Sequence, residues 1–268
     1  MDYRNLGIRT ITGAILVAVL VTATLPILDA TGYIFLAVFS VITIFATREF
    51  MKINGAGNLE SFQAAICSLV LFLWRWAKFN TQMTNRLLSL YAVLLLLMVI
   101  GQLLKDHTNM VERSKRLLNG QCYIAIPFAF MNDLRFCSAG ILLFSVFVLI
   151  WVNDTFAFLA GSMLGKHKMI ERVSPKKTWE GFYGGMLFVL GGAVLLWHFF
   201  GGYELWQWIV IGVVVSIFGT FGDLIESQMK RTLGIKDSGK AIPGHGGWLD
   251  RFDSVIIASI ALNVLILF

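Results

Sequence analysis

The stretch Leu205-Trp-Gln-Trp-Ile-Val-Ile-Gly-Val-Val-Val-Ser-Ile-Phe-Gly-Thr-Phe-Gly-Asp-Leu-Ile-Glu226 decides the fold. It is apolar almost throughout and ends on two acids, Asp223 and Glu226. A helix needs about 20 predominantly apolar residues to cross the hydrocarbon core of a bilayer. Similar runs occupy approximately 11–28, 31–47, 61–74, 87–104, 120–131, 139–161, 180–200 and 252–268. With 205–226 they predict an all-α, polytopic transmembrane protein of about nine spans. The run at 120–131 is short and contains Pro127, which suits a re-entrant, tilted or broken helix.

Composition agrees. The chain has 268 residues, 57% of them hydrophobic and 14% charged, with a mean hydropathy of +0.74. Soluble domains carry about 45–50% apolar and about 25% charged residues, and a core of this size cannot hide the excess. A soluble enzyme, a disordered tail and a secreted disulfide scaffold are excluded. One transmembrane domain over 1–268 is expected, with N-terminal helices in 1–119 and catalytic helices and loops in 120–268. Cys67, Cys122 and Cys137 lie in or beside apolar runs, where thiols behave as small hydrophobes rather than as a disulfide or zinc framework.

The formal charge of +6 has a topological reading, and no nucleic-acid partner is expected. With the N-terminus in the cytoplasm and nine alternating spans, about 18 of the 22 Lys and Arg residues fall inside, leaving Arg75, Lys78, Arg86 and Arg135 outside. The polar loops 162–179 and 227–251 then face the cytoplasm. Arg4 and Arg9 before an apolar run imitate a signal peptide, but the run is long and a second span follows at once, so it reads as a retained helix.

Acids inside a membrane are costly and are functional candidates, although an acid at a span end can simply sit in the interface. Asp154 follows the apolar run from Phe144 to Val152. Asp223, Glu226 and Lys230, spaced by three and four, share one helical face. Downstream, Gly244-His-Gly-Gly247 lets backbone amides approach a ligand and form an anion-binding concavity. Asp250 and Asp253 open the last span, where the helix dipole favours negative charge. Hard carboxylates at Asp223, Asp250, Asp253 and Asp154 suit magnesium shared with substrate phosphates. Nearby cations and glycine amides suit the phosphates themselves. His245, flanked by glycines, suits a hydrogen bond to substrate better than a metal. In the other loop, Lys166 and Lys168 read as topogenic charge, whereas Ser174-Pro-Lys-Lys-Thr178, leading into a helix with Glu180 in its first turn, reads as a phosphate cradle.

The run Ser227-Gln-Met-Lys-Arg231, Lys236-Asp237, then Pro243-Gly-His-Gly-Gly-Trp-Leu-Asp-Arg-Phe-Asp253 resembles the signature of the phosphatidate cytidylyltransferases, integral-membrane CDP-diacylglycerol synthases. Asn153-Asp-Thr155 and Ser174-Pro-Lys-Lys-Thr-Trp-Glu-Gly181 resemble the family's second recurrent segment. The resemblance implies transfer of CMP from CTP to phosphatidic acid, with magnesium, giving CDP-diacylglycerol and pyrophosphate. It implies metal-binding Asp223 and Asp250, with Asp253 and Asp154 as further candidates, and Lys230 and Arg231 on the triphosphate or departing pyrophosphate. Ser174, Lys176, Lys177, Thr178, Lys236, His245, Gly246, Gly247 and Arg251 are the other substrate-binding expectations. It also suggests a homodimer. Gly184-Gly185 and Gly191-Gly192-Ala193 suit a helix contact, between copies or within one chain. The compact length suits a bacterial cytoplasmic membrane protein. The rivals are a CTP-dependent polyprenol kinase, a phospho-sugar transferase and a cation transporter, which would show vesicle flux without nucleotide turnover.

Overall fold

The computed structural model describes residues 3–80, 84–105, 109–137, 140–244 and 246–267. Among these the chain forms ten α-helices and one π-helical turn, with no strand beyond the isolated bridges Lys168–Thr178 and Ile242–Gly246. They fall into two units. The first holds Met1–Asp133 with Asp237–Arg251, the second Leu134–Lys236 with Phe252–Phe268.

The first unit contains α1 (Tyr3–Thr24), α2 (Tyr33–Ile53), α3 (Asn58–Asn80), α4 (Thr84–Lys105) and α5 (Met110–Gly120), continued through the π turn Gln121–Ala125 into α6 (Ile126–Phe136) as far as Asp133. Phe35, Phe39, Ile42, Phe72, Phe128 and Met131 are buried, with the Phe35 and Phe72 rings 5.8 Å apart. Ile11, Ile15 and Leu96 face outward, as suits helices solvated by lipid. Internal polar groups pair with one another. Gln121 Nε2 donates to the Ala64 carbonyl and to Ser68 Oγ, each at 3.2 Å, and Arg75 Nε meets Asp133 Oδ2 at 2.7 Å.

The short run expected at 120–131 is part of a longer helix, Met110–Phe136, interrupted by the π turn. Proline lacks an N–H and its ring crowds the carbonyl four residues back; for Pro127 that residue is Tyr123, inside the π segment. The wider turn accommodates the ring without ending the helix.

The second unit contains α7 (Leu142–Leu164), α8 (Trp179–Phe200), α9 (Leu205–Thr232) and α10 (Leu249–Leu267) from Phe252 onward. Small residues bring α7 and α8 together. A Cβ on Gly185 would lie 2.9 Å from the Asn153 carbonyl, and one on Gly184 would strike Ala160. These glycines therefore serve contacts within the chain. α8 meets α9 where Gly212 lies against Val189 and Ala193.

Five described helices are long and apolar enough to cross a membrane: Tyr33–Ile53, Asn58–Phe79, Leu142–Leu164, Trp179–Phe200 and Leu205–Thr232. Arg9–Thr24 and Arg86–Gln102 are shorter apolar helices, so length and apolarity alone do not reach the expected nine spans. The all-helical, multi-pass architecture stands.

Candidate active site

In the second unit, α7, α8, α9 and the loop 165–178 enclose a cavity of about 680 Å³. Such a volume accommodates a small ligand. α7 contributes Asn153, Asp154, Ala157, Phe158, Gly161 and Ser162; the loop contributes Lys168, Met169, Ser174, Lys176, Lys177 and Thr178; α8 and α9 add Gly181, Phe182, Thr220 and Asp223. The loop is tied down by its own backbone. The Met169 N–H donates to the Lys177 carbonyl, Ser174 to Ile170, and Trp179 to His167. Thr178 caps α8, its Oγ1 accepting from the Gly181 N–H at 3.1 Å. Glu180 accepts from the backbone N–H groups of Lys166 and His167, and its Oε1 lies 2.6 Å from His167 Nδ1. The helix start and both loop ends are thereby joined.

The charges in this cavity are opposed. Lys177 Nζ lies 2.7 Å from Asp223 Oδ2, and Ser227 Oγ donates to Asp223 Oδ1 at 3.1 Å. One helical turn on, Glu226 is buried and holds Lys230 Nζ at 2.9 Å. Of the predicted stripe Asp223-Glu226-Lys230, Glu226 and Lys230 pair with each other, while Asp223 is held by Lys177 from the loop. Asp253 lies beside Glu226 and within electrostatic reach of Asp223 and Asp154. It is brought there by Gly222, against which the Asp253 carbonyl packs in the space a Cβ would fill. Lys176 and Asp154 are exposed, Ser174 is half-buried, and Thr178 is buried with its hydroxyl engaged in the cap. Arg231 and Lys236 are exposed, with Arg231 Nη1 3.5 Å from the Ile235 carbonyl near the C-terminal end of α9.

In the first unit the glycine-rich segment closes on itself and on two helices. The Ile242 N–H donates to the Gly246 carbonyl at 2.9 Å, and Thr12 Oγ1 donates to the Pro243 carbonyl at 3.1 Å. Positive φ angles of 77° and 84° at Gly244 and Gly246 make the turn available to glycine. Where a ligand was expected, the described amides of this segment hold two of the protein's own carboxylates. Asp250 Oδ2 accepts from the Gly247 N–H at 2.8 Å and from the Ser238 N–H at 3.1 Å. Glu49 accepts from the Trp248 N–H at 3.0 Å, the Leu249 N–H at 3.1 Å and the Ser238 hydroxyl. A Cβ on Gly247 or Gly239 would collide with the Glu49 carboxylate. Arg251 is exposed at the start of α10; His245 lies outside the described residues.

The predicted residues thus divide. Asp154, Asp223, Asp253, Ser174, Lys176, Lys177, Thr178, Lys230, Arg231 and Lys236 belong to the second unit, and Asp250, Gly246, Gly247 and Arg251 to the first. Sequence reading passed over Glu49, Glu180 and Thr220 as site residues. For Glu49 the available signal was an acid next to Arg48 in an otherwise apolar helix, which the structure extends to Ile53. Among the described residues, no three His, Cys, Asp or Glu side chains form a ready-made metal cluster. Magnesium, however, keeps several waters and uses one or two carboxylates with substrate phosphates. The all-oxygen set of Asp223 and Asp253, with exposed Asp154 nearby, fits that requirement.

The model of the cytidylyltransferase family matches residues 7–268. A phosphatidate cytidylyltransferase of Staphylococcus aureus (strain COL) is 33% identical over 264 residues, covering 97% of this chain and 98% of that protein. The proteins of the same name from Staphylococcus saprophyticus and Staphylococcus epidermidis are 32% and 31% identical, each covering 97% of this chain and 98% of the relative. With a match running through both units and both charged loops, this chain belongs to the cytidylyltransferase family.

Proposed function

We propose that this chain transfers the cytidylyl group of CTP to phosphatidic acid, forming CDP-diacylglycerol and releasing pyrophosphate. The observation that carries this reading is the second-unit cavity, where Lys177 and Asp223 meet among Ser174, Lys176 and Asp154. The full-length relatives are named for the same activity.

The chemistry needs little from a general base. A phosphate oxygen of phosphatidic acid attacks the α-phosphorus of CTP; the bond to the bridging oxygen breaks, and pyrophosphate leaves with its electron pair. The obstacle is the mutual repulsion of two anions, and phosphoryl-type transfer is mainly positioning and electrostatics. Lys177 and Lys176 with the Ser174 hydroxyl offer donors for a phosphate. Lys230, Arg231 and Lys236 supply positive charge for the triphosphate or the departing pyrophosphate. In the first unit, Asp250 and Arg251 are the residues proposed to meet the metal and phosphate. Thr178 acts through the helix cap; His245 is proposed to hydrogen-bond substrate, and Gly246 and Gly247 to let substrate come close to the backbone.

Magnesium is the proposed cofactor, with Asp223 its candidate ligand in the second unit, Asp253 and Asp154 as lesser candidates there, and Asp250 its candidate ligand in the first; when bound it would neutralise phosphate charge and fix phosphate geometry. We place the protein in the bacterial cytoplasmic membrane as a homodimer, with the N-terminus and both polar loops facing the cytoplasm.

The test uses purified protein in mixed micelles with phosphatidic acid, magnesium and α-labelled CTP. Label should enter the organic phase with equimolar pyrophosphate, and Asp223→Asn and Asp250→Asn should lose it while remaining folded. Absence of transfer by the wild type across divalent metals and lipid phosphates would overturn the reading. Label reaching lipid only from γ-labelled CTP would mark a kinase instead.

A further inference from the structure

In the first unit, a carboxylate on one helix organises a segment nearly two hundred residues further along the chain. Glu49 lies near the C-terminal end of α2 (Tyr33–Ile53), a helix apolar enough to cross a membrane. An ionisable group there is costly unless it is fully engaged. Its Oε2 accepts from the Trp248 N–H, and its Oε1 accepts from the Leu249 N–H and the Ser238 hydroxyl. Trp248 and Leu249 open α10, so Glu49 satisfies amides that the helix start leaves without intrahelical partners. The Trp248 ring also stacks on Phe45, one turn before Glu49, at 5.9 Å and 17°.

Ser238 joins this carboxylate to a second one. Its hydroxyl goes to Glu49, while its N–H goes to Asp250 at 3.1 Å; the Gly247 N–H, next to the Trp248 amide held by Glu49, goes to Asp250 at 2.8 Å. The two acids therefore grip adjacent amides of one segment, and the glycines at 239 and 247 are what let Glu49 approach it. We infer that Glu49 is a positioning residue: it fixes the 238–249 segment and, through Ser238 and Gly247, the orientation of the Asp250 carboxylate. This rests on the proposed function for Asp250's part in the reaction, but not for the clamp itself.

Glutamine is a poor replacement here. Whichever way its amide turns, the NH₂ group faces a backbone N–H, of Trp248 or of Leu249, and donor meets donor. Aspartate keeps the charge and both acceptors on a shorter stem. Loss of a partner that orients a metal-binding carboxylate costs about 10- to 100-fold in metal affinity or activity.

The experiment compares full-length wild type, Glu49→Gln, Glu49→Ala and Glu49→Asp in detergent micelles. Trypsin cleavage after Lys240, read as the fragment beginning at Ala241, reports segment order without any turnover. CMP transfer against magnesium concentration reports Asp250. Glu49→Gln and Glu49→Ala should be cut at Lys240 about tenfold faster than wild type and need about 10- to 100-fold more magnesium for half-maximal rate. Their KM for phosphatidic acid should stay within about twofold of wild type, and Glu49→Asp should recover part of both losses. Wild-type cleavage and magnesium response in Glu49→Gln would overturn the inference. Faster cleavage with unchanged magnesium response would also overturn it, leaving Glu49 a packing group. If the Glu49 variants do not fold, Ser238→Ala, which removes one donor to Glu49 and keeps the Ser238 amide, carries the same two readouts, and no change in either counts against the clamp. If the wild type transfers no CMP, the functional reading falls, and the trypsin comparison alone decides whether Glu49 holds the segment.

Discussion

The two charged regions balance their acids in different ways. In the glycine-rich segment, Glu49 and Asp250 are held mainly by backbone N–H groups of Ser238, Gly247, Trp248 and Leu249. In the second unit, Asp223 at the cavity and Glu226 one turn on are held by the side-chain ammoniums of Lys177 and Lys230. Backbone donors are fixed once the chain is folded, so the first arrangement defines a shape. A lysine on a four-carbon stem can exchange a carboxylate for a phosphate, so the second arrangement can respond to a ligand. Lys177 and Asp223 are each partly exposed, at 25% and 34% of their side chains, which leaves the pair open to such exchange.

The sharpest way to break this comparison is to neutralise one acid in each region. Asp223→Asn and Asp250→Asn should each lower kcat for CMP transfer by about 10²–10³-fold, measured in mixed micelles at saturating substrates. They should separate in stability. Asp250→Asn replaces one acceptor oxygen facing backbone amides and should cost about 1–3 kcal/mol. Asp223→Asn loosens a partly exposed ion pair and should cost about 0–1 kcal/mol. Thermal unfolding of the two variants checks this; equal losses would mean that both acids serve shape.

A smaller effect is expected at the cation. Lys177→Met removes a charge-assisted donor, and the KM of one anionic substrate should rise about 10- to 100-fold. Lys177→Arg should recover part of the loss, because charge survives while geometry changes. Initial-rate kinetics with each substrate varied in turn would identify the phosphate that Lys177 meets; unchanged KM for both would leave Lys177 with a structural role only.

Much of the second unit's charged region was legible in the sequence because its groups are local. Asp223, Glu226 and Lys230 follow helical spacing, and Ser174-Pro-Lys-Lys-Thr178 leads directly into α8. The glycine-rich segment was legible as an anion-binding shape, but not in its occupants. Nothing in Gly244-His-Gly-Gly247 points to Glu49, which lies in a distant helix, and spacing along a chain carries no information about such a partner. The count of about nine spans is not reached by length and apolarity alone among the described helices. Hydropathy finds apolar runs, whereas the π turn before Pro127 keeps Met110–Phe136 continuous through a run that looked too short to span.

Below the charged groups lies a packing contrast within α8. Gly185 and Gly191 are six residues apart, yet a Cβ on Gly185 would lie 2.9 Å from the Asn153 carbonyl, while one on Gly191 meets nothing within 4 Å. Gly185→Ala should therefore destabilise by about 1–3 kcal/mol through overpacking against α7. Gly191→Ala should be neutral or stabilising by up to about 1 kcal/mol, the helix-propensity difference. Thermal unfolding of the pair measures this directly, and equal shifts would count against the close α7–α8 approach that shapes the cavity wall.

The smallest effect is expected at Thr178, where cavity and cap share one side chain. Its Oγ1 accepts from the Gly181 N–H at 3.1 Å and sits where Cβ atoms on Gly161 and Gly165 would intrude. Thr178→Ala removes the cap acceptor at the start of α8 and should cost about 1 kcal/mol. Thr178→Ser keeps the oxygen and loses only a methyl group, so it should restore most of that stability. If the hydroxyl acts through the cap, as its burial suggests, the serine variant should restore turnover together with stability. If serine restores stability while turnover stays low, the threonine methyl is needed in the cavity itself, and the boundary between shape and exchange runs through this residue.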